Sequence, residues 1–137
     1  SRLDEIQAAV LRLKLRGIAG DLEGRRQVAR EYDRRFASTA VRAPATPKNG
    51  THVYNLYTVR VPKRDAVRQA LTAQNIGTAL CYPQGLHLQA VYKRLGYASE
   101  SFPVCEQATT ENMSLPIYSG MPLAHIERVC EVLLEAI

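Results

Sequence analysis

Apolar residues recur at three- and four-residue steps from the start of the chain. Leu3, Ile6, Val10 and Leu13 form one stripe, and Leu11, Leu15 and Ile18 lie on another side of the same predicted helix. Ser1 with Asp4 fits a capping box, which starts the helix almost at the first residue. Apolar side chains over so much of the circumference predict more than one packing partner. Either a domain or subunit outside these residues takes one stripe, or the next helix covers both internally. Gly17 to Gly20 is expected to end this helix and Asp21 to open a second running to about Ser38, with Leu22, Val28, Ala29, Tyr32 and Phe36 as a narrow inward stripe.

The pattern then changes. Val41 to Gly50, with Pro44, Pro47 and the Asn49-Gly50 turn signal, reads as a loop. His52 to Val61, HVYNLYTVRV, alternates with Val53, Tyr57, Val59 and Val61 on one face and is read as a strand. Pro62 is expected to start a helix through Gln74, with Ala66, Val67, Ala70 and Leu71 inward and Asn75-Ile-Gly77 as its stop. Ile76 to Leu80 follows as a short strand, Cys81 to His87 as a loop, and His87 to Leu95 as a short helix ending at Gly96. A further helix runs from Phe102 to Met113, opened at Pro103. Ser114 to Tyr118 suits an edge strand, because Pro116 removes a ladder donor. The last helix is expected from Pro122 to Ile137, burying Ile126, Val129, Cys130, Leu133 and Leu134. Strands interleaved with helices around one open sheet make a two-layer α+β domain.

The 137 residues, 46% hydrophobic and 23% charged, fit one domain with a real core. No apolar run approaches the roughly 18 residues of a membrane span and no signal peptide is recognised, so a soluble chain is expected. Cys81, Cys105 and Cys130 are odd in number and widely spaced, which points to a reducing cytoplasm rather than a disulfide framework.

Charge is divided along the chain. Residues 1–98 hold 17 Lys and Arg against 7 Asp and Glu, a balance of +10, whereas 99–137 hold Arg128 against six glutamates, or −5. Arg25, Arg26, Arg30, Arg34 and Arg35 resemble a nucleic-acid stripe, but Asp21, Glu23, Glu31 and Asp33 lie among them. The pairs Asp21 with Arg25 and Glu31 with Arg35 favour a solvated helix face. Val41 to Arg64 has no acid, so Arg42, Lys48, Arg60, Lys63 and Arg64 form a patch suited to phosphates.

Gly77 to Tyr97, GTALCYPQGLHLQAVYKRLGY, gathers Cys81, Tyr82, His87, Tyr92 and Tyr97 after an apolar strand. Loops at strand ends carry function disproportionately, and the stretch reads as the wall of a site. His52, Cys81 and His87 lack metal-ligand spacing. Cys81 with His87 as nucleophile and base has no oxyanion hole in support. For most of Tyr54, Tyr57, Tyr82, Tyr92, Tyr97 and Tyr118, an amphipathic core role is sufficient.

Several segments in order carry a resemblance. SRLDEIQAAVLRLKL, HVYNLYTVRV followed by a helix, NIGTALCYPQGLHLQAVYKRLGY, and FPVCEQATTENMSLPIYSGMP before a terminal helix look like the carboxyl-terminal part of the PLP-dependent nucleotide-sugar aminotransferases of the DegT/DnrJ/StrS group. The resemblance implies the small α+β domain of a fold-type I aminotransferase, with 1–38 as a helical interdomain or dimer-contact region and 39–137 as the small domain. The large domain with the Schiff-base lysine is expected upstream, so this segment alone is expected to be inactive and to contain no catalytic residue.

The family chemistry is amino transfer, usually from Glu or Gln, to a keto sugar linked to a nucleoside diphosphate, with PLP as electron sink. The resemblance implies a homodimer in the complete protein; the cysteine usage points to the cytoplasm, and no metal, membrane or nucleic-acid partner is expected. An Asn just before the Ser1 position reaches the cofactor phosphate of the neighbouring subunit in the family, which makes Ser1 and Arg2 cofactor-proximal. The loop from Cys81 to His87 borders the sugar, with His87 and Tyr82 as expected hydrogen-bond partners of its hydroxyls or keto oxygen. Many relatives carry His or Tyr at the Cys81 position, and Gln84-Gly85 departs from the usual apolar-Pro step. The patch from Arg42 to Arg64 would meet the diphosphate. Two alternatives remain: a noncatalytic binding or dimerisation remnant of such an enzyme, and a nucleic-acid-binding domain using the Arg25 to Arg35 helix.

Overall fold

A computed structural model describes residues 3–137. Its elements run α1 (Glu5–Phe36), β1 (Tyr57–Arg60), α2 (Arg64–Ala73), α3 (Pro103–Glu111), β2 (Asn112–Leu115) and α4 (Leu123–Glu135), with two short 3-10 segments at Leu86–Leu88 and Ala90–Leu95. The α+β class expected from the sequence is present.

The expected break at Gly17 to Gly20 is absent: α1 is one helix of 32 residues. A lone helical glycine costs only about 1 kcal/mol relative to Ala, and no proline removes a donor there. The first turn is capped by Asp4, whose carboxylate accepts the Ile6 N–H at 2.9 Å. Ser1, the other half of the expected capping box, lies outside the described residues. Gly24 has a separate role, because a Cβ there would collide with the Ser119 side chain where the 118–121 turn crosses the helix.

β1 and β2 pair antiparallel, Tyr57 opposite Leu115 and Val59 opposite Met113. These four side chains are buried, as is Val61 just beyond. The strand is shorter than HVYNLYTVRV suggests: Val53 is exposed, and Tyr54 takes a left-handed backbone (φ 47°), so the chain turns before pairing begins. Single antiparallel bridges extend the pair on both sides, Arg42 with Arg60 and Ala79 with Ser114. The expected strand Ile76 to Leu80 is therefore reduced to one bridge. In that register the next antiparallel position on β2's side falls at Pro116, which has no N–H to give. The strand expected at Ser114 to Tyr118 correspondingly sits earlier, and Met113 belongs to it rather than to α3.

Packing of α1 and α2 with α4 closes the second layer. Val28, Ala29, Tyr32 and Phe36 of α1 join Val67 and Leu71 of α2 and Ile126, Val129, Cys130 and Leu133 of α4 in one core. Ala66 is exposed, and Leu134, expected inside, is 38% exposed while Val132 is buried. Tyr32 stacks on Tyr57 with ring centroids 4.9 Å apart and donates its hydroxyl to the Pro116 carbonyl at 2.9 Å. The Cys130 thiol, pushed up to about 12 by burial, is an inert core group. Residues 28–36 thus share the core of the 39–137 segment.

Among the described residues, nothing packs on the apolar side chains of the first half of α1. Ile6 is 76% exposed, and Val10, Leu11, Leu13, Leu15 and Ile18 are all exposed. Internal coverage by a following helix, one of the two expected arrangements, does not occur.

Candidate functional site

The Ala79 bridge decides where the loop begins. It delivers Cys81 to the outer face of the sheet, where its thiol lies 3.8 Å from the Ser114 hydroxyl, itself 2.8 Å from Thr58 Oγ1. This polar contact explains why Ser114 is buried on a face opposite the apolar core. Tyr82 projects from the next position, 64% exposed and with no hydrogen-bond partner among the described residues. Pro83 and Gly85 then turn the chain into the 3-10 segment that contains His87.

His87 is held very differently. Its side chain is 8% exposed, and Nε2 lies 2.9 Å from Glu106 Oε1 in a hydrogen bond. Phe102 meets the imidazole edge-on at 4.9 Å between ring centroids. On its other side is Gly85, where a Cβ would stand 2.7 Å from His87 Cε1 and 3.0 Å from Nδ1. The Gln84-Gly85 step therefore accommodates the imidazole, and any larger residue at 85 would displace it.

Glu106 is a participant that reading the sequence did not single out. It sits in the first turn of α3, and its carboxylate also accepts the Glu100 N–H at 2.9 Å, the Phe102 N–H at 3.3 Å and the Ser99 hydroxyl at 3.3 Å. The Glu100 N–H leads the causes that hold the Glu106 carboxyl down to about 2, with His87, Phe102 and Ser99 adding to it against some desolvation. Glu100 itself has φ +71°, a left-handed conformation that costs a non-glycine residue roughly 1–2 kcal/mol. An acid in the first turn of a helix opened by proline was the available signal.

Beside this pair, Leu86, Tyr92, Leu95, Tyr97 and Cys105 frame an apolar groove of about 400 Å³ with His87 and Phe102 in its wall. The two 3-10 segments replace the regular helix expected from His87 to Leu95, and Tyr92 and Leu95 face this groove instead of a core. None of the chain's lysines, Lys14, Lys48, Lys63 and Lys93, lines it. The described residues thus do not fit the Schiff-base half of a PLP site. Ser1 and Arg2, expected near the cofactor, lie outside the described residues. Among the described residues, no three His, Cys, Asp or Glu side chains gather as a metal site, and no helix is long and apolar enough to cross a membrane.

Several basic residues turn out to be structural. Arg64 is buried and donates to the Thr109 and Asn112 carbonyls at 3.2 and 2.9 Å. Arg60 pairs with Glu111 at 2.7 Å, which leaves Arg42, Lys48 and Lys63 as the members of the patch expected to meet phosphates that have no ion pair among the described residues, Arg42 lying close enough to help hold the Glu111 carboxyl down. In α1, Arg26 and Arg30 pair with Glu23, and Arg34 and Arg35 with Glu31. Arg25, expected to pair with Asp21, instead donates to the Tyr54 and Ile117 carbonyls, both at 3.1 Å.

A model of the DegT/DnrJ/EryC1/StrS aminotransferase family matches residues 1–134. The chain is 39% identical over 131 residues to a dTDP-3-amino-3,6-dideoxy-alpha-D-galactopyranose transaminase of Aneurinibacillus thermoaerophilus, covering 96% of this chain and 36% of that protein. It is 37% identical over 142 residues to a dTDP-3-amino-3,4,6-trideoxy-alpha-D-glucose transaminase of Micromonospora megalomicea subsp. nigra, covering 100% and 38%. The crystal structure of S. venezuelae DesV in complex with a ketimine intermediate superimposes with a TM-score of 0.90 at 33% identity, covering 98% of this chain and 36% of that one. The chain thus spans little more than a third of these relatives.

Proposed function

The chain belongs to the DegT/DnrJ/EryC1/StrS aminotransferase family, and on that premise we propose that it is the carboxyl-terminal part of a PLP-dependent aminotransferase. The complete protein transfers an amino group, from Glu or Gln, to a keto sugar carried on a nucleoside diphosphate. The observation that carries this reading is the agreement of sequence and shape over 96–100% of the chain with transaminases of dTDP-sugars and with a solved relative. PLP, when bound by the upstream domain, supplies the electron sink for amino transfer.

In this reading the segment contributes a wall and a contact surface. The Tyr82 hydroxyl, unpaired and exposed, hydrogen-bonds the sugar, and Cys81 lies beside it as a smaller neighbour. His87, with Nε2 engaged by Glu106, contributes through Nδ1. Arg42, Lys48 and Lys63 remain for the diphosphate. Ser1 and Arg2 are cofactor-proximal. The apolar half of α1 packs on the upstream domain or across a homodimer interface, as exposed apolar surface of that extent requires. The enzyme is cytoplasmic.

The test uses the complete protein with a nucleotide-linked keto sugar and an amino donor. Amino transfer that depends on PLP is expected, and failure to bind PLP would overturn the reading. Tyr82→Phe and His87→Ala should impair turnover of the sugar while leaving PLP bound. Loss of PLP with an unchanged fold would contradict their assignment to the sugar. The exposed α1 face also supports a noncatalytic dimerisation remnant, for which a parent reading frame without a PLP lysine is the deciding observation.

A further inference from the structure

Four donors converge on Glu106: His87 Nε2, the Ser99 hydroxyl and the backbone N–H groups of Glu100 and Phe102. They match the roughly four lone-pair positions of an ionised carboxylate, which accepts and cannot donate. Its pKa of about 2 keeps Glu106 ionised throughout the neutral range. His87 Nε2 must therefore carry the hydrogen, and in the neutral ring Nδ1 is left as a bare acceptor. Nδ1 has no hydrogen-bond partner among the described residues. Because no described buried side-chain nitrogen or oxygen lacks a partner, Nδ1 is open at the ring edge rather than sealed in. Gly85 lies against this edge, and a Cβ there would stand 3.0 Å from Nδ1, so only glycine leaves the ring in place.

We infer that Glu106 is a positioning residue that holds His87 in the Nε2–H tautomer, so that Nδ1 accepts a hydrogen bond from a sugar hydroxyl instead of donating one to the keto oxygen. This rests on the reading of the Cys81 to His87 loop as the sugar wall. Its consequence is a division of polarity. Tyr82 is the loop's side-chain hydroxyl donor and His87 its acceptor, so the wall presents both polarities to a sugar. An acceptor rejects an isostere that presents another acceptor, because both lone pairs would be left unmatched. The left-handed Glu100 supports the same assignment, since its N–H is aimed at Glu106 in a conformation the chain does not favour by itself.

Two measurements on the complete enzyme test the inference. In protein labelled with 15N-histidine, the His87 ring signals should show a protonated Nε2 and a bare Nδ1. A protonated Nδ1, whether Nε2 is bare or also protonated, would overturn it, and this readout needs no substitution at Glu106. In steady-state assays, Glu106→Gln and His87→Ala should each raise KM for the nucleotide sugar roughly two- to tenfold, the range of one neutral hydrogen bond. KM for the amino donor and the amount of bound PLP should be unchanged. The double variant should be no worse than His87→Ala alone, because Glu106 acts through His87. Multiplying effects would show that Glu106 acts independently and sink the assignment. A wild-type KM for the sugar in His87→Ala would instead remove the wall reading and the hydroxyl-acceptor role with it, while the ring signals still decide the tautomer.

Discussion

From Glu5 to Gly20, α1 exposes Ile6, Val10, Leu11, Leu13, Leu15 and Ile18, whereas from Leu22 to Phe36 the same helix buries Val28, Ala29, Tyr32 and Phe36. The exposed half carries the more aliphatic stripe of the two. Periodic apolar residues establish the helix, but burial depends on what stands opposite, and only the second half meets β1 and α4. The difference teaches that an apolar stripe left bare is a statement about a partner, not about the stability of the helix that carries it.

The strongest attack on this contrast is Tyr32→Ala. It removes a fully buried ring stacked on Tyr57 and Phe36, and should cost the chain about 3–5 kcal/mol in urea unfolding. A loss below about 1 kcal/mol would show that the two halves are less different than their burial implies. Gly24→Ala comes next, at about 1–3 kcal/mol, because its Cβ needs the space held by Ser119. Acid should loosen the buried half selectively. The Glu31 carboxyl is held down to about 2 by the Arg34 hydrogen bond first, with Arg35 adding to it and desolvation opposing. Its lowered pKa gives stability that is complete above the ordinary value of 4.5 and lost as pH falls toward 2, amounting to no more than about 1 kcal/mol for such a pair. Hydrogen exchange along α1 would report this as faster opening near Glu31 over that window.

Gly17→Ala and Gly20→Ala sharpen the contrast from the other side. Each new Cβ meets open space, so each should stabilise the chain by about 0.4–1 kcal/mol. Destabilisation in the chain alone would mean that the helix needs a bend there. Smallest of all, Leu13→Ser should change the chain's stability by less than about 0.5 kcal/mol while weakening assembly of the complete protein, read by sedimentation. Unchanged assembly would remove Leu13 from the contact.

The stripes of α2 and α4 and the alternation of Tyr57, Val59 and Val61 were legible because each is local: the residues that share a face recur at the element's own period. The uninterrupted α1 was not, because two glycines weigh about as heavily as a real stop when nothing reveals that the flanking turns continue. The loop was legible as a site by its residue types, and His87 and Tyr82 could be named. Their opposite situations could not, since His87 meets Glu106 across 18 intervening positions in sequence, and Ser114 is bridged to the distant Ala79. Non-local pairing of this kind leaves no period to read.

An unbroken helix of 32 residues is about 48 Å long, and its bare half extends roughly 24 Å. Because Gly17 and Gly20 lie within it without a hinge, the rod behaves as a lever whose fulcrum is the Val28 to Phe36 anchorage. A tilt of about 10° at that fulcrum sweeps the far end, about 35 Å from Val28, through about 6 Å at this helical rise. Small rotations of the core are thus delivered, amplified, to whatever grips the tip, and a clamp on the tip would in turn steady the core from a distance.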